Sequence, residues 1–199
     1  MKPLFSVLCS EKGQEVDRLV SLFELNDFSL KTLWEKIRTF PNLYGRDTPK
    51  TQEELFNLFF SSDPVSGLLF SDSVVFIIDD YVGMVTLTNI YHPDEATIHF
   101  IFFDKRMRGR ADLLKAIALY VFKEYGLRRL NVELASFSSP ATLNFVSTKL
   151  GLTLEGKKRK AILYNEKYHD VLMYGLLAEE AEQWEPLKLR QLVEEKQEA

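Results

Sequence analysis

One stretch of the chain constrains the fold more than any other. Glu95 to Gly126 reads EATIHFIFFDKRMRGRADLLKAIALYVFKEYG. Ala96 to Phe103 is a run of β-branched and aromatic residues long enough for a buried strand. Asp104 to Arg110 is polar, with four basic residues and one glycine. Beyond it, Leu113, Leu114, Ile117, Ala118, Val121, Phe122 and Tyr125 recur at helical spacing along one apolar face. Gly126 stands where a helix C-cap would. The stretch is therefore a strand, a tight basic turn and a long amphipathic helix. Backbone N–H groups at a helix N-terminus, backed by the helix dipole, attract anions. Gly109 lets the backbone approach a ligand closely, and Arg106, Arg108 and Arg110 add positive charge. A pyrophosphate fits this description. A solvated basic loop fits it equally, because one glycine is a weak phosphate signal.

The turn Arg106-Met-Arg-Gly109-Arg-Ala111 resembles the R/Q-x-x-G-x-G/A turn of the GNAT superfamily of N-acetyltransferases. Its context matches too: a strand before, a long helix after, then a second strand at Arg129 to Ala135. The stretch Thr148-Lys-Leu-Gly151-Leu-Thr-Leu-Glu155-Gly156 is similar to the "EKLGF-x-x-EG" ending of the subgroup that acetylates ribosomal-protein N-termini and small amines. Tyr168-His-Asp170-Val-Leu-Met-Tyr174 resembles that subgroup's closing strand. The resemblance covers residues 74 to 177. It implies acetyl-coenzyme A as co-substrate, with its pyrophosphate on the amides of Arg106, Met107, Arg108, Gly109, Arg110 and Ala111. It also implies that the pantetheine arm pairs with the backbone of Phe102, Phe103 and Asp104, as an extended amide chain can.

The catalytic groups are less clearly marked. On the central strand, alternation puts Thr97, His99, Ile101 and Phe103 on one face and Ile98, Phe100 and Phe102 on the other. His99 alone on this strand has a near-neutral reference pKa, so it is a candidate base for an ammonium acceptor. A histidine hydrogen-bonded at a sheet surface is the plainer alternative. The related subgroup often carries a glutamate where this chain has Thr97, and Glu95 is a substitute candidate. Relatives place an asparagine at the position of Pro140, and Asn144 follows one helical turn later as a cofactor contact. Ser147 occupies the place of the tyrosine that protonates the leaving thiolate in one large subgroup.

The remaining chain sets broad limits. Its 199 residues, 46% hydrophobic and 27% charged, suit one globular domain. A net charge of −4 argues against general nucleic-acid binding. The single cysteine, Cys9, excludes an internal disulfide. No run approaches the roughly 18 apolar residues of a membrane span, and a cytoplasmic protein is expected. Leu4 to Leu8 reads as a first strand and residues 15 to 60 as mostly helical. Within that region Ser29 is a candidate N-cap, and Thr51 and Glu54 fit a capping box. Ser73–Asp79 and Tyr81–Asn89 form a hairpin feeding the central strand. Lys157 to Lys160 reads as a solvated hairpin tip, or a contact for an acidic partner. Residues 178 to 199 read as a C-terminal helical appendage, broken near Pro186, which leaves a homodimer open. No metal-ligand cluster is apparent.

Together these features predict an α/β (α+β) acetyltransferase-like domain over residues 1–177, with the appendage at 178–199. Its mostly antiparallel mixed sheet should have about six to seven strands, flanked by helices, with the central strand pair splayed. The expected activity is transfer of an acetyl or other acyl group from coenzyme A to a primary amine, without metal. The competing expectation is a non-catalytic acyl-coenzyme A-binding or protein-interaction module on the same fold.

Overall fold

The structure, a computed structural model, describes residues 1–11, 13–40, 48–62, 69–71, 73–91 and 93–191. Two strands open the chain, β1 (Lys2–Glu11) and β2 (Gln14–Leu22), followed by helices α1 (Asp27–Ile37) and α2 (Gln52–Phe59). A short hairpin, β3 (Phe60–Ser62) and β4 (Leu69–Ser71), stands apart. The meander β5 (Val74–Ile78), β6 (Gly83–Tyr91) and β7 (Glu95–Phe102) leads into α3 (Arg110–Tyr125) and β8 (Arg129–Ala135). Next come α4 (Pro140–Asn144), which runs on as a π turn (Phe145–Lys149), then β9 (Thr153–Tyr164), β10 (Lys167–Leu177), the one-turn α5 (Ala178–Ala181) and β11 (Lys188–Gln191).

Nine strands form one sheet in the order β11-β1-β2-β5-β6-β7-β8-β10-β9. Every adjacent pair is antiparallel except β7–β8. The alternation of β7 divides the core as its sequence requires. Ala96, Ile98, Phe100 and Phe102 pack with Leu113, Leu114, Ile117 and Val121 of α3. Ile101 and Phe103 face the opposite cluster, built on Leu30, Leu33 and Ile37 of α1 and Leu55 and Phe59 of α2.

Several local expectations need correction. The strand count exceeds six to seven because β2 and β11 lie in stretches that read as helix. Val16, Leu19 and Val20 of β2, with Phe23 just after it, fall at helical spacing, but pairing with β1 and β5 overrides that pattern. Leu19 is left 36% exposed as a result. The expected C-terminal helix is a single turn at Ala178–Ala181; β11 then joins the sheet by pairing with β1, and residues 192–199 lie outside the described residues. The N-cap of α1 is Asn26, not Ser29: Asn26 Oδ1 accepts from Ser29 N at 2.9 Å, and Ser29 Oγ accepts from Asn26 N at 3.1 Å. Thr51 caps α2 as expected, accepting from Glu54 N at 3.1 Å, while the Glu54 carboxylate accepts from Lys50 N at 2.6 Å. Lys157 to Lys160 are not a hairpin tip. They lie within β9 at the sheet edge, where Lys157 pairs with Asp170 at 3.2 Å and Lys158 with Glu133. A lysine-rich edge strand discourages pairing with another sheet.

Candidate functional site

β7 and β8 are parallel neighbours for only three register pairs, Glu95 with Arg129, Ala96 with Leu130 and Thr97 with Asn131. Beyond Thr97 they part. β6 stays paired with β7 as far as Gly83 opposite Phe102, and β10 stays paired with β8 as far as Val171 opposite Ala135. The sheet therefore opens into a gap bounded by Ile98–Phe102 on one side and Val132–Ala135 on the other. Phe103 N donates to Val82 O at 2.9 Å. By antiparallel alternation the odd-numbered residues of β7 bond to β6, so the peptide groups of Ile98, Phe100 and Phe102 face the gap. The amides of Phe103 and Asp104 both go to Val82 O, at 2.9 and 3.3 Å. Of the three residues expected to hold an extended ligand, Phe102 alone presents its peptide to the opening.

The basic turn closes the wide end of this gap. Asp104 organises it, accepting from Met107 N at its carbonyl (3.1 Å) and from Arg106 N at its carboxylate (2.8 Å). Gly109 is the N-cap of α3 at φ +74°, and Leu113 N donates to Gly109 O at 3.0 Å to close the first helical turn. The amides of Arg110, Ala111 and Asp112 precede that bond, so no bond within the helix uses them. A cavity of about 850 Å³ lies in front of these amides. Its walls are residues 105–112, Ser10, Lys115, and Phe145 and Lys149 from the π turn. Lys105, Arg106, Arg108, Arg110, Lys115 and Lys149 make this wall strongly cationic, against the single acid Asp112.

The three arginines are not equivalent. Arg106 is almost fully exposed, its side chain 95% accessible. Arg108 donates to Gln14 Oε1. Arg110 folds back on the turn: it donates to Asp104 O at 3.0 Å and Lys105 O at 2.6 Å, and lies 4.9 Å over the Phe102 ring. The Arg110 guanidinium thus ties the turn together as well as charging the cavity. The first two strands hold the turn from behind. Ser10 N donates to Asp112 Oδ2 at 2.8 Å, Arg18 Nε donates to Arg108 O at 3.2 Å, and Cys9 packs directly beneath Gly109.

His99 lies midway along the gap on the α1–α2 face, half-buried, with Nε2 3.1 Å from Thr88 Oγ1. Burial lowers its pKa below the ordinary 6.5, and the nearby Glu133 carboxylate partly opposes that shift. The imidazole is thus neutral at pH 7 and able to take a proton. Glu133 stands on β8, on the same face as His99. Nothing in the local sequence marks Glu133; only the placement of β8 beside β7 in the sheet brings it near His99. Glu95 sits at the closed end, where β7 and β8 are still paired. Its carboxylate accepts from Asn131 Nδ2 at 2.9 Å and pairs with Arg129 Nε at 3.5 Å. Ser147 donates to Leu143 O at 3.0 Å, and Asn144 Oδ1 accepts from Thr148 Oγ1 at 3.1 Å. Both are exposed, and neither lines the cavity. Phe145 and Lys149, next to them in sequence, do.

This arrangement has a counterpart among known proteins. The model of the acetyltransferase (GNAT) domain family matches residues 68–173, more than half of the chain. The chain belongs to the GNAT acetyltransferase family. Solved structures share its fold. A GNAT-family acetyltransferase from Bacillus anthracis is 18% identical, with a TM-score of 0.60, over 87% of this chain and 99% of that one. A spermidine N-acetyltransferase from Vibrio cholerae, in complex with CoA and spermine, is also 18% identical, with a TM-score of 0.62, over 81% and 97% of the two chains. No curated protein sequence matches the chain. The GNAT domain model begins at residue 68 and so leaves β1, β2, α1 and α2 outside it, although β1 and β2 hold the basic turn. Among the described residues no cluster of His, Cys, Asp and Glu could hold a metal ion, and no helix is long and apolar enough to cross a membrane.

Proposed function

We propose that this chain transfers an acetyl group from acetyl-coenzyme A to a primary amine. The observation that carries the reading is the gap between β7 and β8, which opens onto the cationic, amide-lined turn at Gly109. Coenzyme A is a polyanion joined to an amide-bearing arm, and this site offers the two matching surfaces in sequence. The phosphates sit before the amides of Arg110, Ala111 and Asp112, with Arg106, Arg108, Lys115 and Lys149 around them. The arm extends along the peptide groups of Phe102, Phe100 and Ile98, standing in for the strand that β8 ceases to provide.

The thioester then lies near His99. An acceptor amine arrives as an ammonium ion and gives a proton to neutral His99. The lone pair of the freed amine attacks the thioester carbonyl, peptide N–H groups of β7 steady the oxyanion, the C–S bond breaks to release the coenzyme A thiolate, and the new amide nitrogen gives its second proton to solvent. The thiolate is protonated by solvent, since the Ser147 hydroxyl is turned to its own helix. Glu133 stabilises the imidazolium while it exists. Placing both reactants in one gap supplies the proximity on which direct transfer depends. The spermine in the Vibrio cholerae complex and the ending Gly151 to Gly156 both favour small polyamines and protein N-termini as acceptors. We assign residues 1–177 to the catalytic domain and 178–199 to its C-terminal extension.

Calorimetric titration with acetyl-coenzyme A tests the reading, followed by thiol-release assays with spermidine, spermine and N-terminal peptides. One-site binding is expected, abolished or strongly weakened by Gly109→Val and by Arg108→Glu. Absence of binding at millimolar ligand, or unchanged affinity in both variants, refutes it.

A further inference from the structure

The basic turn is held by a residue that does not reach the cavity. Arg18 projects from β2, and its side chain is 16% exposed. Its guanidinium bridges two elements far apart in sequence: Nε donates to Arg108 O at 3.2 Å, and one terminal nitrogen donates to Asp79 Oδ2 at 2.6 Å. Asp79 is fixed in turn, because its other oxygen accepts from Leu19 N at 2.8 Å and its own N–H donates to Leu19 O at 3.1 Å.

The turn that presents Asp79 is strained. Asp79, Asp80 and Tyr81 have φ values of 42°, 49° and 67°, three consecutive non-glycine residues in the left-handed region. Each such residue costs about 1–2 kcal/mol, so the conformation persists only because its surroundings hold it. Two contacts do so: the Asp79 carboxylate under Arg18, and the buried Tyr81 ring, whose hydroxyl donates to Ser29 O at 3.4 Å.

We propose that Arg18 is a positioning residue for coenzyme A, holding the Arg108 carbonyl on the Asp79 anchor and so setting the attitude of the phosphate-binding turn. The inference rests on the reading of that turn given above. The Arg108–Gly109 peptide is planar and trans, so its C=O and N–H point in opposite directions. Fixing the carbonyl fixes the direction of the Gly109 N–H and the start of α3. Burial does not fix this plane from the Arg108 side, because the Arg108 side chain is exposed. A planar guanidinium suits the task, since it donates to a carbonyl and a carboxylate from separate nitrogens in one rigid geometry. An exposed ion pair would contribute little, but here both partners are largely covered and one arm of the fork is a backbone carbonyl at the ligand site. Arg18 lies outside the cavity wall and acts through the turn.

The test compares two ligands on the full chain by calorimetry: acetyl-coenzyme A, and S-acetylpantetheine, which carries the arm without phosphates. Arg18→Met should weaken acetyl-coenzyme A binding about tenfold, equivalent to one net hydrogen bond to a charged group, and leave S-acetylpantetheine within twofold. Arg18→Lys should stay weak for acetyl-coenzyme A, because a single ammonium keeps the charge but not the fork. Asp79→Asn, which keeps an acceptor for Leu19 N, should show the same selective loss and serves if Arg18→Met does not fold. Unchanged acetyl-coenzyme A affinity, equal loss of both ligands, or full recovery in Arg18→Lys overturns the positioning role. Failure of the wild-type chain to bind acetyl-coenzyme A would strike the phosphate-turn reading itself.

Discussion

Substituting Gly109 by alanine tests how closely the phosphate turn is fitted to the strand beneath it. Two separable effects oppose any side chain there. The backbone is left-handed, at φ +74°, which costs an L-residue about 1–2 kcal/mol. A Cβ would also collide with Cys9 Cβ and lie 3.1 Å from its Sγ, and overpacking of this kind costs about 1–3 kcal/mol. The sum, about 2–5 kcal/mol, is a large part of the roughly 5–15 kcal/mol that stabilises a typical protein. For a chain of this length it should lower Tm by on the order of 10 °C. A double-mutant cycle separates the two effects. The colliding atom is the Cys9 Cβ, so Cys9→Ala leaves the collision in place and Cys9→Gly removes it. Measured by urea unfolding, Gly109→Ala should cost the full amount in the wild-type and Cys9→Ala backgrounds, and only about 1–2 kcal/mol in Cys9→Gly. The intrinsic cost of Cys9→Gly cancels in the cycle. Equal costs of Gly109→Ala in all three backgrounds would refute the contact argument.

Four further outcomes are expected. Burial lowers the His99 pKa below 6.5, so the unfolded chain binds that proton more readily than the folded one; stability should fall as pH drops through the window just below 6.5, and His99→Gln should flatten that part of the pH–Tm curve. Glu133 raises the same pKa, so Glu133→Gln should move the acid limb of kcat/KM to lower pH, and an upward shift would contradict the pairing of these groups. The Cys9 thiol is buried and pushed up to about 12, by burial first and then by the Asp112 carboxylate, so a thiol reagent at pH 8 should label it far more slowly in the native protein than in denaturant. Asn26→Ala should lower stability by about 1 kcal/mol in urea unfolding, because it removes the acceptor for Ser29 N.

What the sequence disclosed and what it concealed follow from the range of the forces involved. The β7–turn–α3 unit was legible because its apolar periodicity, its single glycine and its basic residues all act within one continuous stretch. The meander before it was legible for the same reason. β2 was not: Val16, Leu19, Val20 and Phe23 carry a helical spacing, and a long-range pairing decides the matter. β11 gives almost no local signal, since Lys188–Gln191 becomes a strand only because β1 offers it an edge. The site divides in the same way. Residues 106–111 could be named from the turn alone. Glu133 reads as an outward polar position until β7 and β8 are set side by side. Arg18 and Asp79 carry no local signature at all, being joined to Arg108 only through the folded sheet. Arg110 shows the opposite error: a charge visible in the sequence proves to be largely engaged with the turn's own carbonyls.

The distribution of charge across the gap gives the proposed reaction its direction. On the α3 side the cavity is lined by Lys105, Arg106, Arg108, Lys115 and Lys149, although the whole chain carries a net charge of −4. On the α1–α2 face of the sheet stand Glu133, beside the gap, and Glu95, at its closed end, with Glu95 tied to Arg129 and Glu133 to Lys158. A polyanionic donor is drawn to the first surface and repelled by the second; a cationic acceptor meets the reverse. Attraction alone would trap the acceptor as an unreactive ammonium ion, since a carboxylate favours the charged form. A partly buried imidazole supplies what carboxylates cannot. Burial keeps His99 neutral until a proton is offered, and Glu133 opposes part of the fall in its pKa. Removing either influence should therefore slow transfer for opposite reasons. Without Glu133 the imidazole is a weaker base. With His99 more exposed to water, its pKa returns toward 6.5, and more of it is already protonated in mildly acidic solution when the amine arrives.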